Sequence, residues 1–213
     1  MKTGYGQRQL KPHLKLTLSR KSKNKTMNVI QAKLKEVLIV EPDVFKDHRG
    51  FFMETYNRIR YDGIGIQRHF VQDNLSFSRQ RTLRGLHYQA KHPQAKLVQV
   101  ISGEIYDVAV DIRAQSPTFG KWVGVILNDR NNRQLFIPEG FAHGFCVLSE
   151  SAFFSYKCSD FYAPKDEGGI LWSDPDLGIA WPIANPIVSE KDNGYPKLCN
   201  VATGDLPCMK DLI

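Results

Sequence analysis

The sequence predicts an all-β fold, a sandwich or barrel of short strands. Three observations lead there. Ten runs rich in Val, Ile, Phe, Tyr and Leu recur from Val37 onward. Turn residues punctuate them, at Ser102-Gly103, Ser116-Pro117, Asn128-Asp129 and Pro138-Glu139-Gly140. No long stretch carries the apolar period of a helix, and no repeat occurs at solenoid spacing.

In chain order, Val37–Glu41 is the first apolar run, and Phe51–Tyr56 follows the turn residues Arg49-Gly50. A short helix near Asn57–Ile64 is the one helical candidate before Phe70–Phe77 and Leu83–Gln89. Leu97–Ser102 and Glu104–Arg113 flank the Gly103 turn. Alternation is clearest in the second of these, with Tyr106, Val108, Val110 and Ile112 on one face and Asp107 and Asp111 on the other. Trp122–Leu127, Gln134–Ile137, His143–Ser149 and Ala152–Lys157 complete the set. From Ser189 the chain is turn-rich and is expected to wrap the barrel or a partner.

At 213 residues and 42% hydrophobic content the chain suits one soluble domain, assigned to residues 27–213. Residues 1–26 hold eight Lys and Arg and no acid, more than the net charge of +7, which leaves the body at −1. That segment reads as a disordered basic extension. The body therefore has no charge signature of a nucleic-acid-binding face. No run of about 18 apolar residues is present, so no membrane span is expected. The four cysteines, Cys146, Cys158, Cys199 and Cys208, form no CxxC pair, and a reducing cytoplasm is the simplest compartment.

Two segments carry the chemistry. Leu83–Gln89, with Lys96–Val100 after it, and Ile137–Phe145 have the outline of the two cupin motifs, a Gly-then-His strand and a Pro-x-Gly-x-x-His strand. A metal-binding cupin needs a second His two places after His87 and a Glu further on. Gln89 and Lys96 stand nearest those positions. Lysine offers donors only and repels a divalent ion. His87 and His143 alone are too few to hold a metal, so no metal and no cofactor is expected.

Further segments extend the pattern: Asp47-x-Arg49-Gly50-Phe51-Phe52-x-Glu54, Gln72–Ser76, Pro117–Gly120, Tyr156-Lys157 and Gly168–Trp172 followed by Asp174. In this order, over roughly Val37 to Asp192, they resemble the dTDP-4-dehydrorhamnose 3,5-epimerase family. The resemblance implies a double-stranded β-helix, or jelly roll, in a homodimer. It also implies proton transfer next to the ketone of a dTDP-4-keto-6-deoxyhexose. His87 matches the general base, Asp192 the carboxylate that orients it, Tyr156 the acid on the opposite face and Lys96 the cation beside the ketone oxygen. Arg84 and Arg49 match phosphate-binding residues. Glu54, Gln72, Asp73, Asn74, His143, Glu167 and Lys191 complete the implied binding set, with Arg49 and Glu54 crossing from the partner subunit. The resemblance leaves open an epimerase of one carbon, a ketoisomerase, or a sugar-nucleotide-binding cupin without turnover.

Singly, these residues have plainer readings. His87 would be a packed core histidine and Tyr156 a barrel-wall aromatic. Their joint order favours chemistry. One local problem remains. Arg84 and His87 are three residues apart, on opposite faces of a flat strand, and share a pocket only if Gly85 permits a bulge or bend.

Overall fold

The computed structural model describes residues 27–208, so the basic extension expected at 1–26 lies outside the described residues. Thirteen short strands form among the described residues. The first seven are β1 (Asn28–Gln31), β2 (Leu38–Glu41), β3 (Val44–Asp47), β4 (Gly50–Met53), β5 (Gln72–Arg79), β6 (Leu83–Gln89) and β7 (Lys96–Ser102). The rest are β8 (Glu104–Asp111), β9 (Trp122–Asn128), β10 (Gln134–Ile137), β11 (Phe141–Val147), β12 (Ser151–Cys158) and β13 (Glu167–Gly169). One sheet has the order β1-β2-β10-β7-β12-β5 and the other β13-β6-β11-β8-β9, while β3 and β4 form a separate hairpin. All named pairings are antiparallel. This is the predicted jelly roll.

Val98, Val100, Leu135 and Phe154 from the first sheet meet Ile105, Ala109 and Phe145 from the second in the central core. A second apolar layer covers the outside of the second sheet. There Leu86, Val108, Val110 and Ile112 pack under Leu177, Leu198 and Leu206. The C-terminal segment thus wraps the barrel. With the first sheet on its inner side, β8 is buried on both faces, and Asp107 and Asp111 are fully buried on the side opposite the apolar row.

The helix α1 spans Arg58–Gly63, and the Asn57 side chain caps it by accepting from the Arg60 amide. A second, four-residue helix, α2 (Glu190–Asn193), is capped by Ser189. The run expected at Phe51–Tyr56 ends as a strand at Met53, and that at Phe70–Phe77 starts at Gln72. Strands β1, β3 and β13 were not expected. Each has only three or four residues, and β13 reads Glu-Gly-Gly, a poor strand sequence on its own. It pairs with β6, and its glycines leave room for the rings of Tyr88 and Tyr195, which fill the space where Cβ atoms at Gly168 and Gly169 would stand.

Candidate active site

Strand β6 carries His87, and its irregularity sets the site. Gly85 has φ +120°, and a Cβ there would fall 2.6 Å from the Gly144 Cα. Only glycine combines that backbone angle with that approach. Between β6 and β11 the register shifts, with His87 opposite His143 but Arg84 opposite Phe145. The shift answers the face problem: Arg84 and His87 line one cavity of about 370 Å³, with Glu167, Lys191 and Asp192.

The His87 Nε2 lies 2.7 Å from Asp192 Oδ1. The other Asp192 oxygen accepts from the Gly85 amide at 3.1 Å. Helix α2 holds Asp192 in place, since Ser189 Oγ accepts from the Asp192 amide. Asp192 is 4% exposed. Burial alone would push its carboxyl up. The His87 bond and charge, the Gly85 amide and the Ser189 side chain outweigh it and hold Asp192 below the usual carboxylate range. The carboxylate stays charged and fixes the imidazole, leaving Nδ1 as the nitrogen able to take a proton.

The opposite wall comes from the other sheet. Tyr156 and Cys158 on β12, Lys96 on β7, and Gln72 and Asn74 on β5 face His87 across a cavity of about 260 Å³. Registers Tyr156↔Asn74, Cys158↔Lys96 and Cys158↔Gln72 place these side chains in neighbouring rows. Burial pushes the Tyr156 phenol up, so it holds its proton. Burial pushes the Lys96 ammonium down, against the opposing influence of Cys158, Asp107 and Glu167. A poorly hydrated cation stabilises charge appearing beside it more than a solvated one does.

Glu167 closes the rim. Its Oε2 accepts from the Tyr162 hydroxyl at 2.7 Å and from Lys191 Nζ at 2.5 Å. Burial raises the Glu167 carboxyl, but the Lys191 and Tyr162 bonds and the Lys191 and His87 charges bring it below the usual range. Gln89, at the place of a metal ligand in a metallocupin, has another task. Its amide donates to the His92 carbonyl at 2.7 Å and accepts from the Ala163 amide at 2.8 Å, tying down the loop that carries Tyr162. Among the described residues no three His, Cys, Asp or Glu side chains converge as a metal-ligand set.

Four of the expected residues stand apart. Asp73 lies between Gln72 and Asn74, so alternation turns it outward, where it pairs with Lys157 at 2.8 Å. His143 is buried, with Nε2 2.9 Å from Asp107 and its ring stacked on Phe154. Arg49 sits on the β3–β4 hairpin paired with Asp47, and Glu54 pairs with Arg60. Neither Arg49 nor Glu54 lines the cavities around His87. Conversely, Tyr162, Cys158 and Gln94 line the site and were missed. The period of two in β12 makes Cys158 legible as a same-face neighbour of Tyr156. The loop residue Tyr162 carries no comparable signal.

A jelly roll with a histidine–aspartate pair on one wall, and a tyrosine and lysine on the other, fits the class of isomerases to which its relatives belong. The family model described as dTDP-4-dehydrorhamnose 3,5-epimerase matches residues 31–200. A relative of that name from Shigella flexneri is 57% identical over 168 residues, covering 78% of this chain and 93% of its own. Another from Methanothermobacter thermautotrophicus is 51% identical over 172 residues, covering 79% and 93%. The crystal structure of dTDP-6-deoxy-D-glucose-3,5-epimerase from Legionella pneumophila, in complex with dTDP-4-keto-L-rhamnose, superposes with a TM-score of 0.83. It is 50% identical and covers 85% of this chain and 98% of its own. The chain belongs to the dTDP-4-dehydrorhamnose 3,5-epimerase family.

Proposed function

We propose that the protein converts dTDP-4-dehydro-6-deoxy-D-glucose to dTDP-4-dehydro-L-rhamnose, in dTDP-L-rhamnose biosynthesis, with His87 and Tyr156 as the proton-transfer pair. The observation that carries this reading is their placement on opposite walls of one cavity, with Asp192 behind the histidine. A proton next to a ketone is acidic enough to remove when the enolate is stabilised. His87 takes the proton from carbon 5 or carbon 3, and the electron pair moves onto the ketone oxygen beside Lys96. Tyr156 gives its proton to the same carbon from the other face, which inverts the centre. The tyrosinate and imidazolium then return to their starting forms by exchange with solvent. The ammonium of Lys96 does the work a metal would do at the enolate oxygen.

Arg84 supplies a cation for the diphosphate, Gln72 and Asn74 supply amides for the base and sugar, and Glu167 with Lys191 frames the rim. Arg49 and Glu54 serve the site of a second copy in a homodimer. Support for that assembly comes from the hairpin, whose Phe45, Phe51 and Phe52 are 59%, 60% and 68% exposed. Cytoplasmic placement fits four cysteines that are all unpaired. Among the described residues no helix is long and apolar enough to cross a membrane.

The test is proton exchange in heavy water with the 4-keto sugar nucleotide, followed by NMR. Wild-type protein should place deuterium at carbons 3 and 5 and yield the epimer, and His87→Ala should do neither. Tyr156→Phe should still exchange protons through His87 yet fail to invert. Exchange at one carbon alone would reduce the activity to mono-epimerisation, and no exchange with the nucleotide still bound would overturn the enzymatic reading.

A further inference from the structure

The sheet around His87 has a gap in its side-chain rows, and the gap is filled from elsewhere in the chain. On β11 the residue directly opposite His87 is His143. On β13 it is Gly169, which has no side chain to offer. Residues directly opposite in an antiparallel pair share a face and normally pack on each other. Here the aromatic ring of Tyr195 takes the vacant position. A Cβ built on Gly169 would fall 2.3 Å from that ring, and the ring stands edge-on to the imidazole with centroids 5.9 Å apart.

Tyr195 reaches this position through the turn that delivers Asp192. It lies three residues after Asp192, just past α2 and Gly194, the C-cap of that helix. The backbone beyond it is tied to β13's continuation, because the Leu171 amide donates to the Pro196 carbonyl at 2.8 Å. One short segment therefore contacts the imidazole at two points, with a carboxylate on Nε2 and an aromatic ring on its flank. A single hydrogen bond leaves the imidazole free to rock about that bond. A second contact on the flank removes this freedom.

The Tyr195 hydroxyl does not account for the residue. Its Oη is buried, and its approach to the Lys191 side chain falls short of good hydrogen-bond geometry. A buried hydroxyl so poorly paired returns little against the cost of its desolvation. What the position uses is a flat, rigid ring.

We propose that Tyr195 is a positioning residue for the epimerisation, whose ring clamps the His87 imidazole so that Nδ1 stays aimed at the sugar carbon. The proposal rests on the epimerase reading for its kinetic arm and stands apart from it in its spectroscopic arm. It separates ring from hydroxyl: Tyr195→Phe keeps the clamp, and Tyr195→Ala removes it.

The experiment compares wild type with both variants by steady-state kinetics and by 15N NMR of histidine-labelled, substrate-free protein, with the His87 signals assigned by their loss in His87→Ala. Tyr195→Phe should keep wild-type kcat and KM. Tyr195→Ala should lose kcat by about 10- to 100-fold, the scale of a small misplacement of a reacting group, with KM within about twofold. In the NMR arm, wild type and Tyr195→Phe should show one His87 tautomer with the proton on Nε2, and Tyr195→Ala an averaged or exchange-broadened pair. If Tyr195→Ala does not fold, Tyr195→Leu carries the same test, because it fills volume without a rigid edge. Unchanged kcat and an unchanged tautomer signature in the Ala or Leu variant would overturn the clamp. So would a loss in Tyr195→Phe as large as that in Tyr195→Ala, which would place the role in the hydroxyl. A wild-type protein without turnover would sink the epimerase reading, and the NMR arm would still decide whether Tyr195 orders His87.

Discussion

His87 Nε2 and Asp192 Oδ1 stand 2.7 Å apart although 105 residues separate them in the chain. The carboxylate does two things at once, since its other oxygen holds the Gly85 amide at the bend that aims His87 into the cavity. Asp192→Asn keeps the size and loses the charge, so the imidazolium formed during proton abstraction is no longer stabilised. We expect kcat to fall by about 10²- to 10⁴-fold, the usual span of a general acid–base contribution, with KM little changed. Steady-state kinetics decides it. A variant within a few-fold of wild type would remove Asp192 from the mechanism.

Lys96→Met should move activity and stability in opposite directions. Burial disfavours the Lys96 ammonium, so methionine, of similar length and no charge, should leave the melting temperature unchanged or raise it. The enolate oxygen would lose its cation, and kcat should fall by about 10²- to 10³-fold, the cost of removing one such electrostatic donor. Thermal denaturation and turnover on the same sample test both signs. A drop in stability alongside activity would make Lys96 a structural residue.

How far the sequence foretold this arrangement depends on the physics behind each residue. Strands with strong alternation, such as β8 and β12, were legible because a period of two survives in any tertiary context. The same rule could have excluded Asp73 from the cavity, because its neighbours Gln72 and Asn74 face inward. His87, Tyr156 and Lys96 were legible only together, through their order along the chain. Strand β13 was not legible, since its glycines make room for rings from Tyr88 and Tyr195, and the latter lies 26 residues beyond Gly169. The burial of Asp107 and Asp111 was hidden too. It comes from the first sheet, which packs on the inner face of β8 and stacks Phe154 on the His143 ring that pairs with Asp107, a contact that no local pattern in β8 records.

Asp111 anchors the main buried charge network. It accepts from Arg113 at 2.9 and 2.7 Å and from Ser116 and Thr118 at 2.6 Å each, and Arg113 continues to Glu36. Burial pushes the Asp111 carboxyl up, yet these four donors outweigh it, and the group ends below its ordinary value, as Asp192 does. A depressed folded-state pKa means that the unfolded chain binds more protons in acid. The stability it gives is present above the unfolded value of about 4 and is lost as pH falls through the folded one. The urea midpoint should therefore hold steady from about pH 7 to 5 and drop below about pH 4. Asp111→Asn should cost about 3–5 kcal/mol at neutral pH by leaving Arg113 short of a buried partner, and should flatten the acid limb. A midpoint that does not change on acidification would show that these carboxylates are not the source.

The hairpin β3–β4 makes the homodimer testable. Phe51 and Phe52 stand well exposed beside Arg49, whose only ion pair among the described residues is Asp47 on the same hairpin. Burying a phenylalanine is worth about 1.5–3 kcal/mol, so a chain left alone has reason to cover this hairpin with a second copy. Replacing both Phe51 and Phe52 by Ser should shift the sedimentation mass from dimer to monomer. It should also weaken dTDP binding, because Arg49 would no longer reach the neighbouring site. Arg49→Ala in an otherwise intact dimer separates the two effects, since it should weaken dTDP binding without changing the mass. A double-serine variant that sediments as wild type and binds dTDP normally would place the hairpin outside any interface and return Arg49 to the solvent.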